Sequence, residues 1–127
     1  MVIVFWTLFG LTVALIVATL WAGLTHRRRV HYSLAVSTVL ALTATVVVTE
    51  QLVRARDFPR EELDFHKLLA KTAAALVLPV IATGLTLVRR PKWRRVHLLC
   101  VVLFLVMVLV ATGTGIWVYS LSTPKVI

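Results

Sequence analysis

Four long apolar runs dominate the pattern of hydrophobic and polar positions along this chain. Residues 1–25 contain no charged side chain, and the same holds for residues 32–49, 72–88 and 98–124. A helix needs roughly 20 apolar residues to cross the hydrocarbon core of a bilayer, which is about 30 Å thick. The pattern therefore predicts four transmembrane helices, at about 2–24, 31–53, 66–88 and 97–120.

The connections between these runs are short, and helices joined by short loops pack as antiparallel neighbours. We therefore expect an all-α fold, a four-helix transmembrane bundle with up-down-up-down order. Little chain is left outside the four runs, so residues 1–127 are interpreted as a single integral membrane domain. The first run is long and has no basic segment before it, which favours a retained helix over a cleaved signal peptide.

The distribution of charge predicts how the four helices are oriented in the membrane. The chain is 60% hydrophobic, and its net charge of +9 would suggest nucleic acid as the partner of a soluble protein. Here the basic residues fill the first and third loops, which in a four-span protein share one side. The positive-inside bias places that side in the cytoplasm and both termini outside it. The predicted partner is the lipid bilayer, and nucleic acid is not expected. The loop residues are Arg27, Arg28, Arg29, Arg89, Arg90, Lys92, Arg94 and Arg95.

Candidate chemistry rests on histidines, since no hydrolytic, phosphate-binding or C-x-x-C motif is present. His31 and His97 open the second and fourth predicted helices on one side, each roughly ten to twelve residues, or about 15–18 Å, from its helix centre. Two imidazoles at one depth can ligate haem iron from both sides. His26 lies five residues before His31, about 140° around a helix, so both cannot face one partner. The alternative is that each is an interfacial polar residue.

A second group of ionisable residues is predicted on the outer side. Glu50 lies near the end of the second helix, and His66 and Lys71 lie near the start of the third. Such groups usually face the bundle or water. An ion pair between Glu50 and Lys71 is favoured over a metal site or proton relay of Glu50 with His66, because one carboxylate and one imidazole are an incomplete ligand set.

Small residues recur every four positions in the first helix, at Gly10, Ala14, Ala18 and Ala22. Such a stripe allows another helix to approach closely, in this chain, in a second copy or in a partner. Helix four has Ala111 and Gly115 at the same spacing. The alternative is that the glycines make room for a flat cofactor.

Three short matches resemble a family of small four-helix membrane proteins, the YozB/CtaM-like group, which is linked to assembly of haem-copper respiratory oxidases. They are His26-Arg27-Arg28 followed by Ser37, His97 after a basic loop, and Thr114-Gly115 followed by Tyr119. The sequence departs from the family at Val47-Val48-Thr49-Glu50, where the family has another histidine, and in the long spacing from His66 to Pro79. The resemblance implies His26 as a ligand, whereas the depth comparison favours His31.

Together these features predict a haem-associated accessory protein of the respiratory membrane, in the bacterial cytoplasmic membrane. It would bind b-type haem, with His97 and either His31 or His26 as axial ligands, or aid oxidase assembly in a respiratory complex. No c-type attachment motif is present, so the haem would be held non-covalently. Electron transfer is the one enzymatic role left open. One alternative is a cofactor-free structural subunit packing through the Gly10–Ala22 stripe; another is a small proton-coupled transporter that uses Glu50.

Overall fold

The computed structural model describes residues 1–126 and is built almost entirely of helices. These are α1 (Val2–Leu24), α2 (Arg28–Ala55), α3 (Arg60–Arg89) and α4 (Arg94–Ser120), with a 3-10 turn at Pro91–Trp93. Two-residue strands β1 (Arg56–Asp57) and β2 (Thr123–Pro124) pair with each other. All four α-helices are long and apolar enough to cross a membrane, which confirms the predicted all-α chain with four candidate spans and indicates an integral membrane protein.

The helix bounds differ from the predicted ones where charged residues begin a helix. α1 has the predicted bounds, but α3 begins at Arg60 rather than near 66, and α4 begins at Arg94 rather than near 97. Hydropathy marks the part of a helix that lies in lipid and misses polar turns that continue it. In α3 the first turn contains Glu61 and Glu62, whose negative charge suits the positive end of the helix dipole.

The chain divides into two compact units. The first contains residues 1–57 together with residues 124–126, and the second contains residues 58–123. α1 packs on α2 in the first unit, and α3 packs on α4 in the second. The C-terminal segment joins the first unit, where Lys125 Nζ donates a hydrogen bond to the Arg54 carbonyl oxygen at 2.8 Å.

Threonine pairs set the register of the first unit. The hydroxyls of Thr12 and Thr45 lie 2.9 Å apart, and those of Thr19 and Thr38 lie 2.8 Å apart. Seven residues forward in α1 thus correspond to seven residues backward in α2, so the two helices are antiparallel. Hydroxyl pairs of this kind join helices in lipid, where no hydrophobic effect drives the helices together.

Most of the buried residues are small or hydroxylated, while many large apolar side chains point outward. Leu109, for example, is 72% exposed and Ile3 is 81% exposed. This distribution reverses that of a soluble protein and fits helices whose outer faces contact lipid. The residues buried in the described chain are Thr12, Ala22, Thr38, Ala41, Thr45, Leu52, Ala73, Thr83, Phe104, Ala111, Val118 and Ser122.

Candidate functional site

His31 is held against α1 from the first turn of α2. Its Nδ1 lies 2.9 Å from the carbonyl oxygen of Thr19. The ring also packs on Gly23, where a Cβ atom would lie only 3.1 Å from both Cε1 and Nδ1 of the imidazole. His31 is therefore partly buried and oriented by two contacts with the facing helix.

His26 lies in the turn between α1 and α2 and is exposed. Its φ of 58° is in the left-handed region, which glycine usually occupies. The Arg27 amide donates to Ala22 O at 3.0 Å and the His26 amide donates to Gly23 O at 3.3 Å. These two bonds form the Schellman motif that ends many helices. The Arg27 guanidinium lies 5.0 Å from the Trp21 ring centroid, so the turn is further fixed by a cation–π contact.

His97 makes the corresponding contact in the second unit, from the first turns of α4 to the end of α3. Its Nδ1 lies 2.9 Å from the hydroxyl oxygen of Thr83. A Cβ atom on Gly84 would lie 3.2 Å from His97 Cε1. The Thr83 hydroxyl itself donates to the carbonyl oxygen of Pro79 at 2.7 Å, one turn earlier in the helix.

His66 repeats this arrangement at the opposite end of the same helix pair. Its Nδ1 lies 3.0 Å from the hydroxyl oxygen of Thr114. A Cβ atom on Gly115 would lie 2.9 Å from His66 Cε1, closer than real Cβ atoms approach. The Thr114 hydroxyl hydrogen is shared between the carbonyl oxygens of Val110 at 3.0 Å and Ala111 at 3.1 Å.

These partners suit the same tautomer in all three imidazoles. A carbonyl oxygen only accepts, so His31 Nδ1 must donate to Thr19. The hydroxyls of Thr83 and Thr114 lie within hydrogen-bond distance of helix carbonyls, so each can donate there and accept from the Nδ1–H of its histidine. The lone pair of each neutral ring then lies on Nε2. A hydrogen bond from one ring nitrogen is the usual means by which proteins orient a histidine whose other nitrogen binds a metal.

The two contacts of the second unit share one spacing, which is also visible in the sequence. Sixteen residues separate His66 from Thr83-Gly84, and sixteen separate His97 from Thr114-Gly115. In an antiparallel pair, each histidine near the start of one helix can meet a Thr-Gly near the end of the other only if the spacings match. The sequence prediction missed this repeat, and with it the roles of Thr83 and Gly84.

The first unit contains one of these two contacts. The residues seventeen and eighteen positions after His31 are Val48-Thr49, which lack the glycine. Phe5 stands eighteen positions before Gly23, where α3 has His66 before Gly84. The imidazole contact of α1 with α2 is therefore confined to the end of the unit that contains the basic turn.

The glycines of these contacts are covered by imidazole rings. Gly115, for which the sequence left open a contact with a flat cofactor, instead contacts His66. Open space remains beside Gly10 and Gly113, where an added Cβ would meet nothing within 4 Å.

The small-residue stripe of α1 is buried at one end and exposed at the other. Ala22 is completely buried and Ala18 is partly buried, whereas Gly10 and Ala14 are exposed. Oligomerisation through Gly10, Ala14, Ala18 and Ala22 stays a prediction, and Ala22 already lies in the interior of the chain.

Glu50 lies close to Arg54, four residues later in the same helix. Its carboxylate is 3.7 Å from the Arg54 guanidinium, and both side chains are largely exposed, at 67% and 82%. A pair this exposed contributes little stability. Within residues 1–126, no group of three or more histidine, cysteine, aspartate or glutamate side chains could hold a metal ion. The predicted site of His66 with Glu50 draws on both units, since Glu50 belongs to the first and His66 to the second.

His31 and His97 likewise belong to different units, so their joint ligation of one iron stays a prediction.

No protein-family model, curated protein sequence or solved structure matches this chain.

Proposed function

We propose that this protein is a haem-associated accessory protein of a respiratory membrane that binds b-type haem non-covalently. His97 and His31 are the residues that would hold the haem iron, and the basic turns of residues 27–29 and 89–95 would bind the haem propionates. The chain is a four-helix bundle in up-down-up-down order, with these turns in the cytoplasm and both termini on the other side. In this role the haem supplies an iron that accepts and releases one electron, or is itself passed on during oxidase assembly.

The observation that carries the proposal is the Nδ1 hydrogen bond of each imidazole. A histidine that ligates iron through Nε2 needs its Nδ1–H fixed by an acceptor, which sets the tautomer and the direction of the ring. His31 donates to Thr19 O and His97 donates to Thr83 Oγ1, both at 2.9 Å. Two neutral imidazoles are a donor set that haem iron accepts, which supports the proposal.

The same observation favours His31 over His26. His31 is partly buried and bonded to α1, whereas His26 is exposed in the turn. An exposed side chain loses more rotamer freedom on binding iron than one already oriented by its neighbours.

The experiment is the absorption spectrum of the full chain, purified after haem-replete expression. We expect a Soret band and the narrow visible bands of low-spin, six-coordinate haem. His97→Asn and His31→Asn should each abolish the six-coordinate spectrum, because the asparagine amide nitrogen takes about the place of Nδ1 and nothing replaces Nε2. Circular dichroism should show the same helix content as the parent.

The matched control is His26→Gly, which removes an imidazole at a position whose backbone suits glycine. It should keep the full spectrum. Absence of a Soret band from the parent protein would overturn the haem proposal. Loss of the spectrum in His26→Gly but not in His31→Asn would transfer the ligand role to His26.

A further inference from the structure

The second unit presents two equivalent imidazoles, one at each end of the α3–α4 pair. From His66 to Thr83, which bonds His97, α3 rises about 26 Å over seventeen residues at 1.5 Å per residue. That distance is close to the thickness of the hydrocarbon core, about 30 Å. His66 and His97 therefore lie at opposite faces of the span and cannot ligate one iron together.

The surroundings of the two rings agree in three features. Both rings donate from Nδ1 to a threonine hydroxyl, at 3.0 Å for His66 and 2.9 Å for His97. Both place Cε1 against the glycine that follows that threonine. Both begin the same sixteen-residue spacing to the next Thr-Gly. A role that depends on ring orientation at His97 thus has the same structural basis at His66.

The Nε2 atom of His66 is also at least partly exposed. Within residues 1–126, every buried side-chain nitrogen or oxygen of the partly or fully buried residues has a hydrogen-bond partner. The bond of His66 to a described residue is made by Nδ1. Nε2, six residues into α3, is therefore not fully buried, although it lies 3.4 Å from the position of a Cβ atom on Gly115.

We propose that His66 is a second imidazole ligand position for haem iron, at the membrane face opposite His97. The proposal rests on the haem-binding function and extends it: the protein takes one haem near each face. The second unit supplies one imidazole at the His66 end.

The test is a titration of the purified full chain in detergent with haem b, monitored by Soret absorbance. We expect two equivalents bound to the parent, with one equivalent lost in His66→Asn and the other in His97→Asn. Asparagine keeps a donor near the position of Nδ1 and so preserves the bond to threonine. His26→Gly is the control and should bind two equivalents.

The outcomes separate this inference from the function on which it rests. One equivalent in the parent, lost in His97→Asn and kept in His66→Asn, overturns the His66 site and leaves the haem function standing. No binding to the parent overturns both. Two equivalents in His66→Asn show that His66 only joins the helices. Because the stoichiometry of the parent is measured first, a variant that fails to fold does not decide the result.

Discussion

At the scale of single residues, the glycines of α4 differ more than their sequence spacing suggests. Gly115 touches the His66 ring, whereas an added Cβ on Gly113, two positions earlier, would meet nothing within 4 Å. Glycine is therefore required at 115 for close approach of a side chain from the facing helix, and at 113 no packing contact requires it.

Gly115→Ala should lower the free energy of unfolding by about 1–3 kcal/mol, the usual cost of overpacking a tight contact. The new methyl group would lie 2.9 Å from His66 Cε1 and must displace the ring. Gly113→Ala is the matched control and should be neutral or stabilising by up to about 1 kcal/mol, since alanine favours a helix over glycine. Unfolding in mixed detergent micelles measures both; equal effects of the two substitutions would contradict the contact.

At the scale of elements, each helix pair is joined by polar contacts placed at regular depths. In the first unit these are the two threonine pairs and the His31 contact with Thr19 O. The hydroxyls of Thr12 and Thr45 also lie 2.8 Å from the carbonyls of Leu8 and Ala41. The two hydroxyl hydrogens are thus available for three short contacts, one between the hydroxyls and one to each carbonyl. Either hydroxyl can donate to the other while the second donates to its own helix carbonyl.

A double-mutant cycle of Thr12→Val and Thr45→Val should give a favourable coupling energy of about 0.6 kcal/mol, and at most about 1.7 kcal/mol, as for other hydrogen bonds within membranes. Valine keeps the shape of threonine and removes the hydroxyl. Thr43, whose hydroxyl bonds within its own helix at 2.8 Å, is the control partner. Additive effects of Thr12→Val and Thr45→Val would show that the pair does not join the helices.

The elements also show how far the sequence predicts the site. It singled out His31, His66 and His97, because polar residues near the ends of apolar helices stand out, and their role as ligands stays a prediction. It did not identify their partners, since Thr19, Thr83 and Gly84 are ordinary residues of apolar helices. The sixteen-residue repeat would have predicted both contacts between α3 and α4. In an antiparallel helix pair, two equal spacings bring each histidine beside the Thr-Gly of the other helix.

At the scale of the whole molecule, the distribution of charge predicts an orientation. The turn that joins α3 to α4 and the turn that joins α1 to α2 are basic, while the connection of α2 to α3 also carries acidic residues. The positive-inside bias then predicts that both basic turns lie in the cytoplasm.

Single cysteines should report this orientation in a Cys100→Ala background. With a membrane-impermeant maleimide, Lys125→Cys and Asp57→Cys should react in intact cells, and Lys92→Cys should react only after permeabilisation. All three positions are exposed in the structure. If Lys92→Cys alone reacted in intact cells, the orientation would be the opposite of the predicted one.

The four apolar helices and the residues that interrupt them could be predicted from the sequence alone, because hydropathy over about 20 residues is a local property. The structure was needed to show which imidazole contacts which threonine and glycine. That depends on helix register and rotation, which are set by close contacts between residues far apart in the chain. For the same reason Gly115 proved to contact His66, and Ala22 proved to be buried within the chain.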